Sequence, residues 1–233
     1  MDTRYKPLTD YVVRRFHNHL GPRLQSIYIK GSVARGDAVW GVSDIDLVLA
    51  FERPDKRDNE LKREVESAAK DMPGGNGLVI QRIGDDRLQQ MGEGIRAYWL
   101  YSSRYDAEVV YGARPDEFLP EPPRGEQLVK LISPMIRKDG EVRLNQSTLQ
   151  RHESRHLAKR LLEGLALTAI AAGTHTYVAP LDVSGLTAFP ESIRNHVLAV
   201  TAIYKEAPVM TDPRRLHRAW MESWDYIELS RMV

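Results

Sequence analysis

The chain has 233 residues, 42% hydrophobic and 28% charged, the profile of a globular protein long enough for one large domain or two modest ones. It contains no cysteine, which excludes a disulfide scaffold, a thiolate metal site and a cysteine nucleophile. Its net charge is +1, with 19 basic and 20 acidic residues in 1–125 and 14 and 12 in 126–233, so neither half has the basic surplus used to grip long nucleic acid.

The first half alternates short β-branched runs with charged helical stretches. Thr9 to Leu20 reads as a helix closed by Gly21-Pro22. Strands are expected at Leu24–Lys30 and Ile45–Phe51, followed by a charged helix over Lys56–Lys70 and a turn at Pro73-Gly74-Gly75-Asn76-Gly77. Further strands are expected at Leu78–Ile83 and Ala107–Tyr111. The Pro-rich segment Phe118–Gly125 reads as a linker. Beyond it the pattern is helical. Ser147 with Gln150 forms a capping box for a helix running to Ala172 and stopping at Gly173, Pro190 sits in the first turn of a helix reaching Lys205, and Asp212-Pro213 caps a last helix to about Met232. These elements predict an α+β fold: a mixed β-sheet flanked by helices in residues 1–120 and a helical bundle in 126–233. No apolar run approaches the roughly 20 residues of a membrane span. The opening MDTRYKPLTD has no apolar core of the signal-peptide kind, so no membrane contact and a cytoplasmic location are expected.

The chemistry concentrates in IYIKGSVARGDAVWGVSDIDLVLAFE, residues 27–52. Alternation in a strand puts Asp44 and Asp46 on one face, while Ile45 and Leu47 point to the core. Two adjacent carboxylates repel, and a divalent cation such as Mg²⁺ relieves this while accepting phosphate oxygens as further ligands. The Gly31-Ser32 turn offers backbone N–H groups, a hydroxyl and no Cβ at Gly31, which suits close approach of a phosphate. Lys30 and Arg35 flank that turn with positive charge.

This block resembles the signature of the DNA polymerase beta-like nucleotidyltransferase superfamily: an apolar strand, Gly-Ser, about a dozen residues, then Asp-x-Asp amid apolar residues. Here eleven residues separate Ser32 from Asp44. The wider layout is similar to the minimal bacterial members, especially the aminoglycoside nucleotidyltransferases, and AEVVYGARPDEFL at 107–119 is similar to a stretch they carry before the linker. The resemblance implies transfer of a nucleoside monophosphate, first of all AMP from ATP, to a hydroxyl, with release of pyrophosphate. It implies that Gly31 and Ser32 hold the triphosphate, helped by Arg35, and that Asp44 and Asp46 are the catalytic, Mg²⁺-binding pair. The expected partners are a nucleoside triphosphate and a small hydroxyl-bearing acceptor bound between the two halves; a homodimer is left open.

The pattern departs at the third strand. Relatives carry a third carboxylate there, whereas LVIQRI has Gln81, which cannot take a proton at neutral pH. Three readings stand. Another acid fills the role, from Asp85, Asp86, Asp106, Glu108, Glu153 or Glu163; one Mg²⁺ on Asp44 and Asp46 suffices for slow transfer; or the protein is a catalytically weak or inactive nucleotide-binding regulator. His152, His156, Lys159 and Glu163 fall in one stripe at the helical period, either an ordinary solvated face or a functional one with Lys159 toward the triphosphate. No acid completes HExxH, so zinc is not expected there. Arg151 to His156 also spells R-x4-H, a pattern of helical RNases that chance supplies easily in a helix rich in Arg and His. Trp220, Trp224 and Tyr226 read as core, while Trp40 either covers the nucleotide or plugs the 32–44 turn.

Overall fold

The computed structural model describes residues 3–186, 189–210 and 213–230 and divides into two compact units, Met1–Pro122 and Pro123–Val233. The division falls inside the Pro-rich segment. In the first unit, α1 (Lys6–Leu20) leads into β1 (Leu24–Lys30), a four-residue helix α2 (Ser32–Arg35) and β2 (Ile45–Phe51). Then come α3 (Lys56–Ala69), β3 (Leu78–Ile83), α4 (Asp85–Gln90), α5 (Glu93–Tyr105), β4 (Ala107–Gly112) and the short α6 (Pro115–Phe118). The sheet order is β3-β2-β1-β4, with β1 antiparallel to β2 and β4, and β2 parallel to β3.

Strand alternation gives this sheet two apolar faces. On one, Ile27, Ile29, Ile45, Leu47 and Leu49 pack against the stripes Leu8, Val12, Phe16 of α1 and Leu61, Val65, Ala69 of α3. On the other, Tyr28, Val48, Ala50 and Ile83 meet Leu88 and Leu100 from α4 and α5. The start of α3 is fixed by charge: Asp55 Oδ1 accepts from Asp58 N at 2.9 Å, and Asp55 N donates to Asp58 Oδ2 at 2.8 Å. Asp58 is buried and also accepts from Arg23 Nη2 at 2.8 Å, with His19 Nε2 at 2.9 Å. These hydrogen bonds and the Arg23 charge offset the burial that opposes ionisation and hold the Asp58 carboxyl below its usual pKa.

The second unit comprises α7 (Gly125–Leu144), α8 (Arg151–Ala171), α9 (Glu191–Glu206) and α10 (Arg214–Ser230). Trp220 and Trp224 are buried, as the sequence indicates, and each uses a glycine on a facing helix. A Cβ at Gly140 would lie 1.9 Å from the Trp220 ring, and one at Gly164 would lie 3.0 Å from that of Trp224. Helix α8 begins at Arg151, later than the Ser147–Gln150 box predicts. Glu153 reaches back to Gln150 N at 2.8 Å and sets the cap there, while Leu149 pairs with Met210 in an isolated antiparallel bridge. Arg151 Nε then donates to Ala207 O at 2.9 Å, and Ser154 Oγ to Pro208 O at 2.6 Å, so α8 satisfies carbonyls following α9. The expected cap Asp212 and end Met232 of the last helix lie outside the described residues. No helix among the described residues is long and apolar enough to cross a membrane.

Candidate active site

The site grows from the end of β1. Gly31 has φ of 77° and ψ of −151°, a left-handed conformation that strains any residue with a Cβ. Its N–H donates to Asp106 O at 3.1 Å, so that donor is spent on holding the turn to the head of β4. Its carbonyl accepts from Arg35 N at 3.1 Å, which starts α2 with Ser32 as its first residue. An added Cβ at Gly31 would stand 3.7 Å from Asp46 Oδ2. The glycine thus supplies the turn and keeps the strand end low beside the carboxylate.

A self-braced loop leads to Asp44, the residue before β2, and to Asp46 on it. Ser43 N donates to Val39 O at 2.8 Å, and Val39 N to Ser43 Oγ at 2.9 Å. Trp40 packs its ring 4.9 Å from that of Tyr5, under the Arg4 guanidinium at 5.0 Å. Its ring also lies beside Gly74, where a Cβ would stand 3.2 Å from it, so Trp40 plugs this loop against the Gly-rich turn before β3. Gly77 in that turn would carry a Cβ 3.3 Å from Asp44 Cα and 3.4 Å from its Oδ1, so its bare backbone gives Asp44 room. Asp44 is exposed and Asp46 half-buried.

Register fixes what surrounds them. Lys30 on β1 stands opposite Asp46, and Val79 on β3 pairs with it from the other side. Gln81, two residues along β3 on the same face, donates through Nε2 to Asp46 Oδ1 at 3.1 Å. Lys30 is only 8% exposed, with its Nζ 3.5 Å from the centroid of the Trp99 ring on α5. The face therefore presents two carboxylates, one amide and one ammonium. The places of Lys30 and Trp99 escape a motif reading; for Lys30 the available signal was alternation with Tyr28 along β1.

Most of the remaining candidate acids are engaged elsewhere. Asp106 receives Arg35 Nη1 at 2.6 and 2.5 Å, and Arg35 Nε reaches Asp37 Oδ2 at 3.3 Å. Arg35 thereby ties α2 to the head of β4, with its charge balanced inside the unit. Glu108 pairs across from Ile29, on the opposite sheet face from Asp46. Asp86 is held by Arg82 at 2.8 and 2.6 Å, and Asp85 follows β3 as the exposed first residue of α4. In the helical unit Glu153 is a helix cap, and its bond from Gln150 N–H lowers its pKa. Glu163 accepts from Arg160 Nη1 at 2.7 Å and lies 3.7 Å from Lys159 Nζ. His156 Nε2 lies 2.7 Å from Asp139 Oδ2, which also receives Arg160 Nε at 2.6 Å. Arg151 and His156 thus serve different partners and form no pair. Of the stripe, His156, Lys159 and Glu163 join this network while His152 is exposed. Among the described residues no group of three or more His, Asp or Glu is placed to hold a metal ion.

The carboxylates of Asp46, beside Gly31, and Asp44, two residues before it, are oxygen donors of the kind that suits a hard divalent cation.

Comparison with known proteins agrees with this geometry. The family model of the nucleotidyltransferase domain matches residues 12–82, which span α1 to β3. No curated protein matches the chain in sequence. Among solved structures, spectinomycin adenyltransferase AAD(9) from Enterococcus faecialis, determined with ATP and spectinomycin, is similar at a TM-score of 0.66 and 12% identity, over 96% of this chain and 99% of that one. A Shewanella oneidensis complex of tri-AMPylated HEPN toxin with MNT antitoxin matches 58% of this chain and 90% of that one, at 17% identity and a TM-score of 0.32, too low to carry an argument. The glycine turn and both aspartates lie within residues 12–82, the segment that the nucleotidyltransferase-domain model matches.

Proposed function

We propose that the protein transfers a nucleoside monophosphate, AMP from ATP in the first instance, to a hydroxyl of a small molecule and releases pyrophosphate. The observation that carries this reading is Asp46 on β2 with its carboxylate beside Gly31, and Asp44 two residues before it against the Gly77 turn. The choice of AMP is supported by the fold shared with an adenyltransferase solved with ATP.

In this reading Asp44 and Asp46 hold Mg²⁺ with the triphosphate, and the turn at Gly31 admits a phosphate that the Ser32 hydroxyl contacts. The cation, when bound, polarises the α-phosphate and screens its charge. The acceptor oxygen bonds to the α-phosphorus as the bond from that phosphorus to the bridging oxygen of the β-phosphate breaks. Pyrophosphate leaves, and the hydroxyl proton passes to solvent. The chain's contribution is positioning and fixed charge. Acceptor specificity is assigned to the helical unit, where Asp139, His156, Lys159, Arg160 and Glu163 offer both donors and acceptors to a polar small molecule.

A second reading, a catalytically weak nucleotide-binding regulator, is favoured by Gln81 and by the absence of a three-acid cluster among the described residues. Calorimetry with ATP and Mg²⁺, run beside a pyrophosphate-release assay over a panel of hydroxyl-bearing acceptors that includes spectinomycin, separates the two. Acceptor-dependent pyrophosphate release supports the transferase. Tight ATP binding with no release, unchanged in Asp46→Asn, selects the regulator.

A further inference from the structure

We propose that Gln81 is a positioning residue: it fixes Asp46 as a one-oxygen ligand and so makes the site prefer a small octahedral cation such as Mg²⁺ to Ca²⁺. The inference rests on the triphosphate reading above and deepens it.

An aspartate carboxylate turns about a soft, roughly two-fold torsion, so the backbone of β2 alone does not decide which oxygen meets a ligand. Here the two oxygens have different surroundings. Oδ1 accepts from Gln81 Nε2 at 3.1 Å, while Oδ2 is turned to the glycine turn, where a Cβ on Gly31 would stand 3.7 Å from it. The two neighbours come from opposite flanks of β2. Gln81 lies on β3, two residues beyond Val79 on the same face, and its stem reaches back along the parallel pair to Asp46. Gly31 follows β1, which lies on the other side of β2 in the sheet. The carboxylate is thus held with Oδ1 toward β3 and Oδ2 toward the turn. Ordering a long glutamine side chain costs rotamer entropy, and a hydrogen bond to an ionised carboxylate offsets it.

This orientation has a chemical consequence. Mg²⁺ demands near-ideal octahedral geometry at short oxygen distances, which suits a carboxylate that gives one fixed oxygen. Ca²⁺ is larger, tolerates flexible geometry and takes carboxylates through both oxygens as readily as through one. Ligation through both requires Oδ1 as well as Oδ2, and so requires the carboxylate to turn away from the Gln81 amide. By holding Oδ1, Gln81 favours the first mode and opposes the second, and as a neutral amide it does so without adding charge to the site.

Cation preference tests this directly. Binding of α,β-methylene-ATP, an analogue whose α–β bridge cannot be cleaved, to the full chain is measured by calorimetry in saturating Mg²⁺ and again in saturating Ca²⁺. Gln81→Met keeps the length of the side chain without the donor, and Gln81→Ala removes both; circular dichroism verifies that each is folded. Wild type is expected to bind the Mg²⁺ complex more tightly than the Ca²⁺ complex. In either variant the Mg²⁺ complex is expected to bind roughly tenfold more weakly than to wild type, the scale of loss when a residue that orients a metal ligand is removed, and the Ca²⁺ complex less than about threefold more weakly. Equal losses with both cations assign Gln81 a merely structural role. Equal losses, undiminished binding of the Mg²⁺ complex in the variants, or a wild-type preference for Ca²⁺ each overturn the inference and leave the triphosphate reading standing. If wild type binds the analogue with neither cation, the triphosphate reading itself falls, and the inference with it.

Discussion

Most ionisable side chains near the sheet are spent on architecture, and this isolates the few that are not. Asp58 is the clearest case: a buried carboxylate that caps α3 and receives Arg23 and His19 from α1 and the turn after it. Replacing it by alanine removes a cap and strands Arg23, so Asp58→Ala should cost roughly 2–4 kcal/mol in urea unfolding, with any activity of the folded fraction unchanged. Its carboxyl pKa is lowered by folding, so its contribution is complete above the ordinary carboxylate range and is lost as pH falls below it. Arg35 shows why sequence reading stops short at this scale. Its neighbour Gly31 and the motif spacing are local, whereas its partner Asp106 is 71 residues away and visible only once β4 lies beside β1. The place of Asp46 on β2 was legible because the β-branched run alone sets that strand, which begins one residue after Asp44. Lys30 and Gln81 were present in the text, but their meaning depends on register across three strands.

At the scale of elements, β1, β2 and β3 have the bounds that their β-branched runs predict. Three helices had no legible start. Both α4 and α5 open after glycines, and α7 opens after Arg124 with Pro134 inside it. Pro134 reads as a breaker, yet it is exposed, and Ser133 Oγ keeps the preceding turn closed by donating to Val129 O at 2.6 Å. The α7–α8 pair carries a pH dependence. Burial, with the Arg160 and Arg143 charges, lowers the His156 pKa even though Asp139 opposes the shift. The unfolded chain therefore binds a proton at His156 more readily than the native one, and stability is present above the unfolded pKa and falls as pH drops toward the folded one. Asp139, lowered by its bonds to His156 and Arg160 despite burial, stays ionised throughout this range. The opening free energy from amide-exchange protection factors across 139–160 should fall between pH 7 and 5.5, at up to about 1.4 kcal/mol per pH unit. In His156→Gln that slope should vanish; a slope retained in the variant would assign it to another group.

For the whole molecule, charge and fold point the same way. A net charge of +1, evenly divided, provides no excess of cations for a polyanion. Filter binding to duplex DNA at 150 mM salt should show no affinity tighter than about 10⁻⁵ M, and submicromolar retention would contradict an acceptor of small size. The near balance of 33 basic and 32 acidic residues conceals a specific placement: arginines against the surplus acids, and two aspartates, Lys30 and Gln81 gathered on one sheet face. The central claim is that this face performs metal-dependent nucleotidyl transfer. Pyrophosphate release from ATP, followed across a Mg²⁺ titration for wild type and Asp46→Asn with an accepted hydroxyl substrate, tests it most directly. The account predicts Mg²⁺-dependent release by wild type and a loss of roughly 10²–10³-fold in a folded Asp46→Asn; release by the variant at the wild-type rate and Mg²⁺ dependence would contradict it.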